Sequence, residues 1–435
     1  MQSSTRFLPH YTPEELATIQ LDGLKWTVRH AATGSDAYAA KFRDAGIRPE
    51  DIRSLDDLRH LPCTSVEDLR DGYPFPLLSV PERNVVRMHA SSGTTGKRKV
   101  LTYTQKDVND WMEMMARCYE LAGLTELDRI QICAGYGLWT AGAGFQLGAE
   151  HFGAMAVPVG PGNMNMQLQL LVDMGVTCMC STASMALLMG EEVEKHGLRD
   201  SLRLRTCIFG SETHTPKMRQ RFTELLGIED SFDISGMTEL YGPGAGLECA
   251  AHDGIHYWAD MYIVEILDPE TLEPVQPGEV GEMVVTTLRK EAAPLIRYRT
   301  HDLTRLIPGE CSCGLALPRH DKIMGRSDDM IIFRGVNIYP GQIAAVLGDF
   351  DGISSEYQVT LARRDGRDFM TVAVERAKGA HSGGDEALAT AVGQELHRQL
   401  MARAAVQVVD HGALPRSFGK TRRVIDDREN GCAAE

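Results

Sequence analysis

No stretch of this sequence stays apolar long enough to span a membrane, and residues Met1 to His10 lack the apolar run of a secretory signal. The expectation is a cytoplasmic protein. Basic residues are in short supply: 45 Lys and Arg stand against 60 Asp and Glu, for a net charge of −15. That balance argues against nonspecific attraction to nucleic acid or anionic lipid, and leaves room for a local basic pocket around one phosphorylated ligand. Ten cysteines in 435 residues are too sparse for a disulfide scaffold and read as reduced thiols, with the Cys311-Ser312-Cys313 pair set apart. Internal repeats are missing too. What is abundant is apolar material, 43% of residues against 24% charged, which fits a globular chain rather than a disordered one. The length exceeds one typical core, so two or three domains are expected, with small molecules as partners.

The chain is organised around Ser91-Ser92-Gly93-Thr94-Thr95-Gly96-Lys97. Two glycines and four hydroxyls in seven residues cannot pack a core, but they can fold a loop whose amides and hydroxyls surround a phosphate. The stretch fails the Walker A pattern, because Ser91 stands where that motif needs glycine and Arg98 where it needs Ser or Thr. The plain alternative is a flexible polar linker.

Ahead of the loop the chain reads as helical, with Thr12-Pro13-Glu14-Glu15 a capped start and Ser54 with Asp57 and Ser65 with Asp68 repeating the signal. Behind it, Thr104 with Asp107 opens a helix that stops near Gly123, which puts the loop just before a helix. Strand candidates at 130–134, 155–159, 176–180, 206–209 and 232–234 alternate with helices such as 185–196 and 216–226. This alternation predicts a doubly wound α/β sheet. From 255 to 307 the pattern turns to strands (263–267, 283–287, 303–307) and implies a β-rich subdomain. Past Gly325-Arg326-Ser327-Asp328-Asp329 a small α+β unit begins, with strands at 359–363 and 371–375 around an Asp365-Gly366 turn, a helix near 387–402 and a strand near 406–409. The fold class is therefore α/β, with a large N-terminal part (1–327) and a small C-terminal domain (328–435).

Ligands of doubly wound sheets bind beyond the carboxyl ends of the strands, so the residues after each strand carry the chemistry. Ala134-Gly135-Tyr136-Gly137, Gly210-Ser211-Glu212 and Ser235-Gly236-Met237-Thr238-Glu239 each pair glycine with a donor or carboxylate. Singly each could be an ordinary turn. Together with the Ser/Thr/Gly loop they suggest a nucleotide site.

With these motifs the sequence resembles the acyl- and aryl-adenylate-forming enzymes, most closely the phenylacetate–CoA ligase family. The resemblance rests on Ser91 to Lys97, Ser235 to Glu239, Tyr298-Arg299-Thr300-His301-Asp302, Gly325 to Asp329 with Arg334-Gly335-Val336-Asn337-Ile338, and Leu414-Pro415-Arg416-Ser417-Phe418-Gly419-Lys420, and covers nearly the whole chain. It implies ATP, Mg²⁺ and coenzyme A as cofactors and an aryl acid, phenylacetate or a relative, as substrate. It also implies that the Ser91–Lys97 loop (Ser91, Ser92, Gly93, Thr94, Thr95, Gly96, Lys97) holds the β- and γ-phosphates, with Thr238 on the α-phosphate and Glu239 on Mg²⁺. Ser235, Gly236 and Met237 complete that motif. Asp302 would take the ribose hydroxyls with Arg326 assisting, Gly210, Ser211 and Glu212 would lie along the adenine, and Lys420 would bring a mobile charge to the carboxylate and the α-phosphate. Asp328 falls at the family's hinge between two domain orientations. Tyr136, with Phe145, Ile234 and Gly236, would form the acid pocket, where an aromatic face beside small residues suits a flat arene; for Phe145 ordinary core packing is the rival.

Some relatives carry a Cys/His set, so Cys249, His256, Cys311 and Cys313 would make a Cys₃His zinc site. His252 is a rival for the fourth place, and four reduced residues on neighbouring turns are the plain alternative. One departure from the family pattern is Gly96-Lys97-Arg98-Lys99, more basic than the usual loop ending with proline, which bears on how the triphosphate is held. Two other outcomes stay open: transfer of the acyl group to a carrier protein or an amine, and a noncatalytic adenylate-binding regulator. Retention of Glu239, Asp302 and Lys420 argues against the regulator. A homodimer is compatible with all three.

Overall fold

The computed structural model describes residues 5–91, 97–334, 336–364, 366–415 and 423–428. The chain gathers into two compact units, one of Met1–Ser181, Asp200–Ser211 and Ile228–Lys322, the other of Thr182–Arg199, Glu212–Gly227 and Ile323–Glu435.

The first unit opens with the helix Pro13–Gly34, whose start is the capping box expected of Thr12 and Glu15. A hairpin follows, β1 (Arg87–Ala90) antiparallel to β2 (Val100–Tyr103), with Ala90 opposite Val100. The Ser91 amide donates to Lys99 O and closes the base of the connection. The Ser/Thr/Gly stretch is thus the connection of a hairpin, and a strand, not a helix, comes directly after it. The sequence pattern missed β2 because all four of its residues are buried, so no alternation shows. The helix Gln105–Leu121 begins one residue later, capped by Thr104 and Asp107 as expected.

Seven further strands, β3 (Arg129–Ile132), β4 (Met155–Val157), β5 (Cys178–Thr182), β6 (Thr206–Gly210), β7 (Asp230–Met237), β8 (Gly242–Glu248) and β9 (Ile255–Tyr257), enter the main sheet. Next come β10 (Tyr262–Leu267), β11 (Gly281–Thr287), β12 (Tyr298–Thr304), β13 (Leu306–Ile307) and β14 (Arg319–His320). The nine-stranded sheet runs β13-β14-β9-β8-β7-β6-β5-β3-β4. On the β4 side β3 pairs parallel with β4 and β5, and β6 with β7, as the alternating pattern predicts. Strands β5 and β6 are buried along their whole length, which is why they read as unbroken apolar runs. Past β7 the sheet turns antiparallel through β8, β9 and β14.

The expected β-rich subdomain is divided between two sheets: β10, β11 and β12 pair antiparallel beside one another, while β9, β13 and β14 extend the large sheet. The single strand expected at 303–307 is consequently two, one ending at Thr304 and the other starting at Leu306.

In the second unit Arg367–Arg376 pairs antiparallel with Ile353–Arg364, and Ala405–Val409 and Val424–Asp426 add parallel on the two edges. Val359, Leu361, Val372 and Val374 face the helix Asp385–Leu400 through Val392 and Leu396 in one buried cluster. The helices Ala183–His196 and Pro216–Leu226 belong to this unit and meet where Gly190 abuts Leu225, at a distance that leaves no room for a β-carbon. Asp365, of the expected turn, lies outside the described residues. Among those described, no helix is long and apolar enough to cross a membrane.

One buried group makes the first unit sensitive to acid. His320 on β14 is 1% exposed, and burial pushes its pKa down to about 4 even though its Nδ1 meets Asp321 O at 2.7 Å. The unfolded imidazole takes its proton near pH 6.5 and the folded one only near 4, so stability present above pH 6.5 is lost as pH falls through that window. The total is about 3 kcal/mol from this group. Urea unfolding at pH 7 and pH 4.5 should show the acid loss shrinking by roughly 2–3 kcal/mol in His320→Gln.

Candidate active site

Thr238 and Glu239 stand immediately beyond the end of β7, where that strand bulges against β8 between Ser235 and Gly236. The bulge requires glycine: a β-carbon on Gly236 would come within 2.2 Å of Gly242 O. Ser235 and Met237 on either side are half-buried, while Thr238 and Glu239 are both 6% exposed. The pair is fixed from beneath by the hairpin and the segment after β11. Tyr103 OH, on β2, lies 3.0 Å from Thr238 O and 2.9 Å from Tyr241 O. Lys290, wholly buried, donates from Nζ to Glu239 O at 2.8 Å and lies over the rings of Tyr103 (4.9 Å) and Tyr241 (5.1 Å). Burial pushes the Lys290 pKa down to about 8, while the charges of Asp107 and Glu239 hold it up. Asp107 in turn accepts the amides of Glu291 (2.7 Å) and Ala292 (2.9 Å), so the residue that caps the helix Gln105–Leu121 also anchors the segment that carries Lys290.

The Glu239 carboxylate meets Lys99 Nζ at 2.5 Å and Tyr298 OH at 3.4 Å, both on Oε1. The Thr140 and Thr238 hydroxyls lie 3.4 Å apart. Lys97 is exposed, with its Nζ 6.0 Å from the ring centre of Tyr73. Ser91 Oγ is buried and has no hydrogen-bond partner among the described residues. An orphaned hydroxyl at the mouth of the hairpin suits a site built for an anion. Ser92, Gly93, Thr94, Thr95, Gly96 and Lys420 lie outside the described residues.

At the end of β6, Gly210 is set against β7, where a β-carbon would come within 2.4 Å of Ile234 O, and Ser211 takes a left-handed φ of +72°. Glu212 accepts the Ser184 amide at 2.5 Å, at the start of the helix Ala183–His196, so its carboxylate has a structural duty. Asp302 lies within β12, half-buried, next to His301 at φ +64°. In the second unit Arg326 forms two 2.8 Å bonds to the carboxylate of Asp328, joining the residue expected at the ribose to the one expected at the hinge. The segment leading toward Lys420 is tied down by Glu375, which is fully buried, accepts the Leu414 amide at 3.3 Å and meets His411 Nδ1 at 3.2 Å.

Of the pocket candidates, Tyr136 is 38% exposed, and its ring lies so close over Gly142 that a β-carbon there would come within 2.7 Å. A β-carbon on Gly160 would meet the same ring at 3.6 Å. Ile234, on β7, is 6% exposed. Phe145 is 3% exposed, and its carbonyl accepts Tyr119 OH at 2.8 Å, as in ordinary core packing. The hairpin and the aromatic loop are joined directly, since the Ala90 amide donates to Leu138 O and His89 Nδ1 lies 3.2 Å from the same oxygen.

The four Cys/His candidates come together. Cys249 lies just past β8, His256 on β9, and Cys311 and Cys313 on the connection between β13 and β14. All four ligand atoms lie within 4.8 Å of one another, with Cys249 Sγ to Cys311 Sγ at 3.6 Å and Cys313 Sγ to His256 Nε2 at 3.3 Å. His252 is elsewhere, its two ring nitrogens 3.0 Å from Asp230 and 3.2 Å from Glu248.

Lys99, Lys290, Tyr103 and Thr140 had no assigned role on sequence grounds. Only Lys99 carried a signal, the unusually basic end of the loop. Burial of the other three is a product of packing.

Residues 64–288 match the AMP-binding enzyme family and residues 335–428 the AMP-binding enzyme C-terminal domain. The chain is 42% identical over 421 residues to the phenylacetate–coenzyme A ligase of Escherichia coli K12, covering 95% of each. It is 40% identical to that of Pseudomonas putida, covering 94% of this chain and 93% of the relative. Among solved structures, 2-hydroxyisobutyryl-CoA ligase in the postadenylation state in complex with R3-HIB-AMP superposes with a TM-score of 0.90 at 26% identity, covering 100% of this chain and 95% of the other.

Proposed function

The chain belongs to the phenylacetate–coenzyme A ligase family of AMP-binding, adenylate-forming enzymes, and from that premise we propose that phenylacetate or a ring-substituted relative is the acid it activates. The enzyme is an AMP-forming acid–thiol ligase: the acid becomes an acyl-adenylate, then a CoA thioester. The observation that carries the assignment of the site is the docking of the β1–β2 hairpin on Thr238 and Glu239 through Tyr103 and Lys99. It brings Lys99, which follows the loop read as anion-binding, together with the Thr238 segment and the Glu239 carboxylate.

In the first step a carboxylate oxygen attacks the α-phosphorus of ATP, the bond to the bridging oxygen breaks, and pyrophosphate leaves. Two anions converge, so the site must supply positive charge where the negative charge builds. The Ser91–Lys97 loop holds the β- and γ-phosphates, Thr238 donates to the α-phosphate, and Lys420 approaches both the carboxylate and the α-phosphate. Asp302 accepts the ribose hydroxyls with Arg326 nearby in role, and Gly210 to Glu212 line the adenine. Glu239 offers a buried carboxylate, the oxygen donor Mg²⁺ prefers, which in this structure is paired with Lys99. When bound there, Mg²⁺ would offset triphosphate charge. In the second step the CoA sulfur attacks the acyl carbon, the thiol proton is released, and the bond to AMP breaks. On this reading Asp328 is the hinge of a division into 1–327 and 328–435, letting one domain orientation serve each step. ATP and CoA as substrates fit a cytoplasmic enzyme.

The Cys₃His cluster has the dimensions of a structural zinc site. Tetrahedral bonds of about 2.3 Å to sulfur and 2.0 Å to nitrogen put ligand atoms roughly 3.5–3.8 Å apart. The 3.6 and 3.3 Å separations are near that spacing, and His256 Nδ1, 2.9 Å from Leu317 O, is placed to donate there and leave Nε2 its lone pair. Burial pushes the Cys249 thiol up to about 12, so a thiolate there calls for a cation. Such a metal would clamp the β8–β9 end of the sheet to the β13–β14 connection.

Three measurements test these readings. With Lys420→Ala, adenylate formation should fall roughly 10²-fold or more, while a supplied acyl-adenylate is still converted to thioester at near the normal rate; equal damage to both half-reactions would remove the assigned role. With phenylacetate as substrate, Tyr136→Ala should raise the KM for the acid roughly tenfold, the scale of a lost aromatic contact, and leave that for ATP unchanged. A rise for ATP alone would assign Tyr136 to the nucleotide. Protein purified without added metal should hold about one equivalent of zinc, lost in Cys311→Ser. Metal-free protein with an unchanged melting temperature would refute the site.

A further inference from the structure

The Ser/Thr/Gly segment ends on Lys97-Arg98-Lys99, and the third of these cations is turned inward. Lys99 and Glu239 form a 2.5 Å ion pair with side chains 20% and 7% exposed. The contact falls on Oε1, the oxygen that also meets Tyr298 OH, while Lys290 is committed to the main-chain oxygen of the same residue. A carboxylate this far from water is costly without a cation on it, and Lys99 is the side chain that supplies one. Nothing in the adenylation chemistry set out above uses Lys99.

We propose that Lys99 is the resident counter-cation of the metal-binding carboxylate, and that a divalent cation must displace its ammonium from Glu239 in order to bind. The proposal rests on the reading of Glu239 as the Mg²⁺ ligand. Mg²⁺ approaches carboxylate oxygen to about 2.0–2.1 Å and holds its ligands in a near-octahedral shell, which leaves no place for an ammonium on the same oxygen. Two cations so close also repel strongly in a site with little water. The exchange is balanced in charge only when something takes up the released ammonium. Lys99 is three residues from Gly96 in sequence, so its charge remains beside the loop read as holding the triphosphate. Metal and nucleotide binding are therefore coupled: the nucleotide-free enzyme resists a bare divalent ion, and the triphosphate, by accepting the ammonium and adding oxygens, lifts that resistance.

The test uses Mn²⁺ as a paramagnetic stand-in for Mg²⁺, with free Mn²⁺ read by electron paramagnetic resonance in the full chain without nucleotide. Wild type is compared with Lys99→Met, Lys99→Arg, Glu239→Gln and the double variant Lys99→Met/Glu239→Gln, each checked for a cooperative melting transition. Lys99→Met should bind Mn²⁺ roughly tenfold more tightly than wild type, the scale of removing one competing contact. Its melting temperature should rise on adding millimolar Mg²⁺, while that of wild type stays put. Lys99→Arg, which keeps the charge, should behave as wild type, and the gain should vanish in the double variant. Should Lys99→Met fail to fold, Lys99→Gln, which keeps a donor for Oε1 without the charge, takes its place with the same expected gain. Equal Mn²⁺ affinity in wild type and Lys99→Met, with Glu239→Gln weaker than both, would overturn the exchange and leave Glu239 a metal ligand. Mn²⁺ binding indifferent to Glu239 in every background would overturn the metal reading itself and the proposal with it.

Discussion

Glu239 is held at both ends by cations, its carboxylate on the half-buried Lys99 and its carbonyl on the fully buried Lys290, and much of the first unit is arranged to make that arrangement tolerable. Burying Lys290 completely is expensive, and the cost is offset by the two tyrosine faces, the Glu239 carbonyl and the charge of Asp107. Asp107 also caps a long helix and takes two amides of the segment that bears Lys290, so one carboxylate ties helix, segment and site together. Breaking any member would strand a charge without water, a penalty of about 3–5 kcal/mol for a buried pair. This makes the position of Thr238 and Glu239 rigid before any ligand arrives.

Rigidity at that point is matched by close backbone contact around it. Gly210 and Gly236 lie where neighbouring strands approach within a distance that excludes a β-carbon, so β6 is drawn against β7 and β7 against β8. The hairpin β1–β2 then docks through Tyr103 on one side and through Ala90 to Leu138 on the other. The hairpin strands are thereby tied to the Leu138 segment on one side and to the Thr238–Glu239 pair on the other.

The Cys/His cluster illustrates a second use of the large sheet. Its members are spread over 65 residues of sequence, yet β8, β9 and β14 are consecutive neighbours in the sheet and bring His256 opposite Arg319. His252, four residues from His256, is turned to Asp230 and Glu248 instead. Distance along the chain could not choose between the two histidines; tertiary structure did, because His256 lies on β9 beside β14 while His252 sits in the β8–β9 connection at a left-handed φ of +52°.

Local pattern alone determined a good deal here. Capping residues marked the start of Pro13–Gly34 and both ends of Pro216–Leu226, and apolar runs marked β3, β5 and β6, because hydrogen bonds at helix ends and burial on both faces leave direct signatures in residue type. The motif order was enough to indicate the family and so the reaction class. Tertiary structure alone decided that 255–307 divides between two sheets, that β2 lies between the loop and the helix, and that Phe145 is packed as core while Tyr136 is open. It also decided that Lys290 and Lys99 converge on Glu239. A lysine in a sequence reads as a solvated charge, and only the packing of elements distant in the chain can take it out of water and give it a partner.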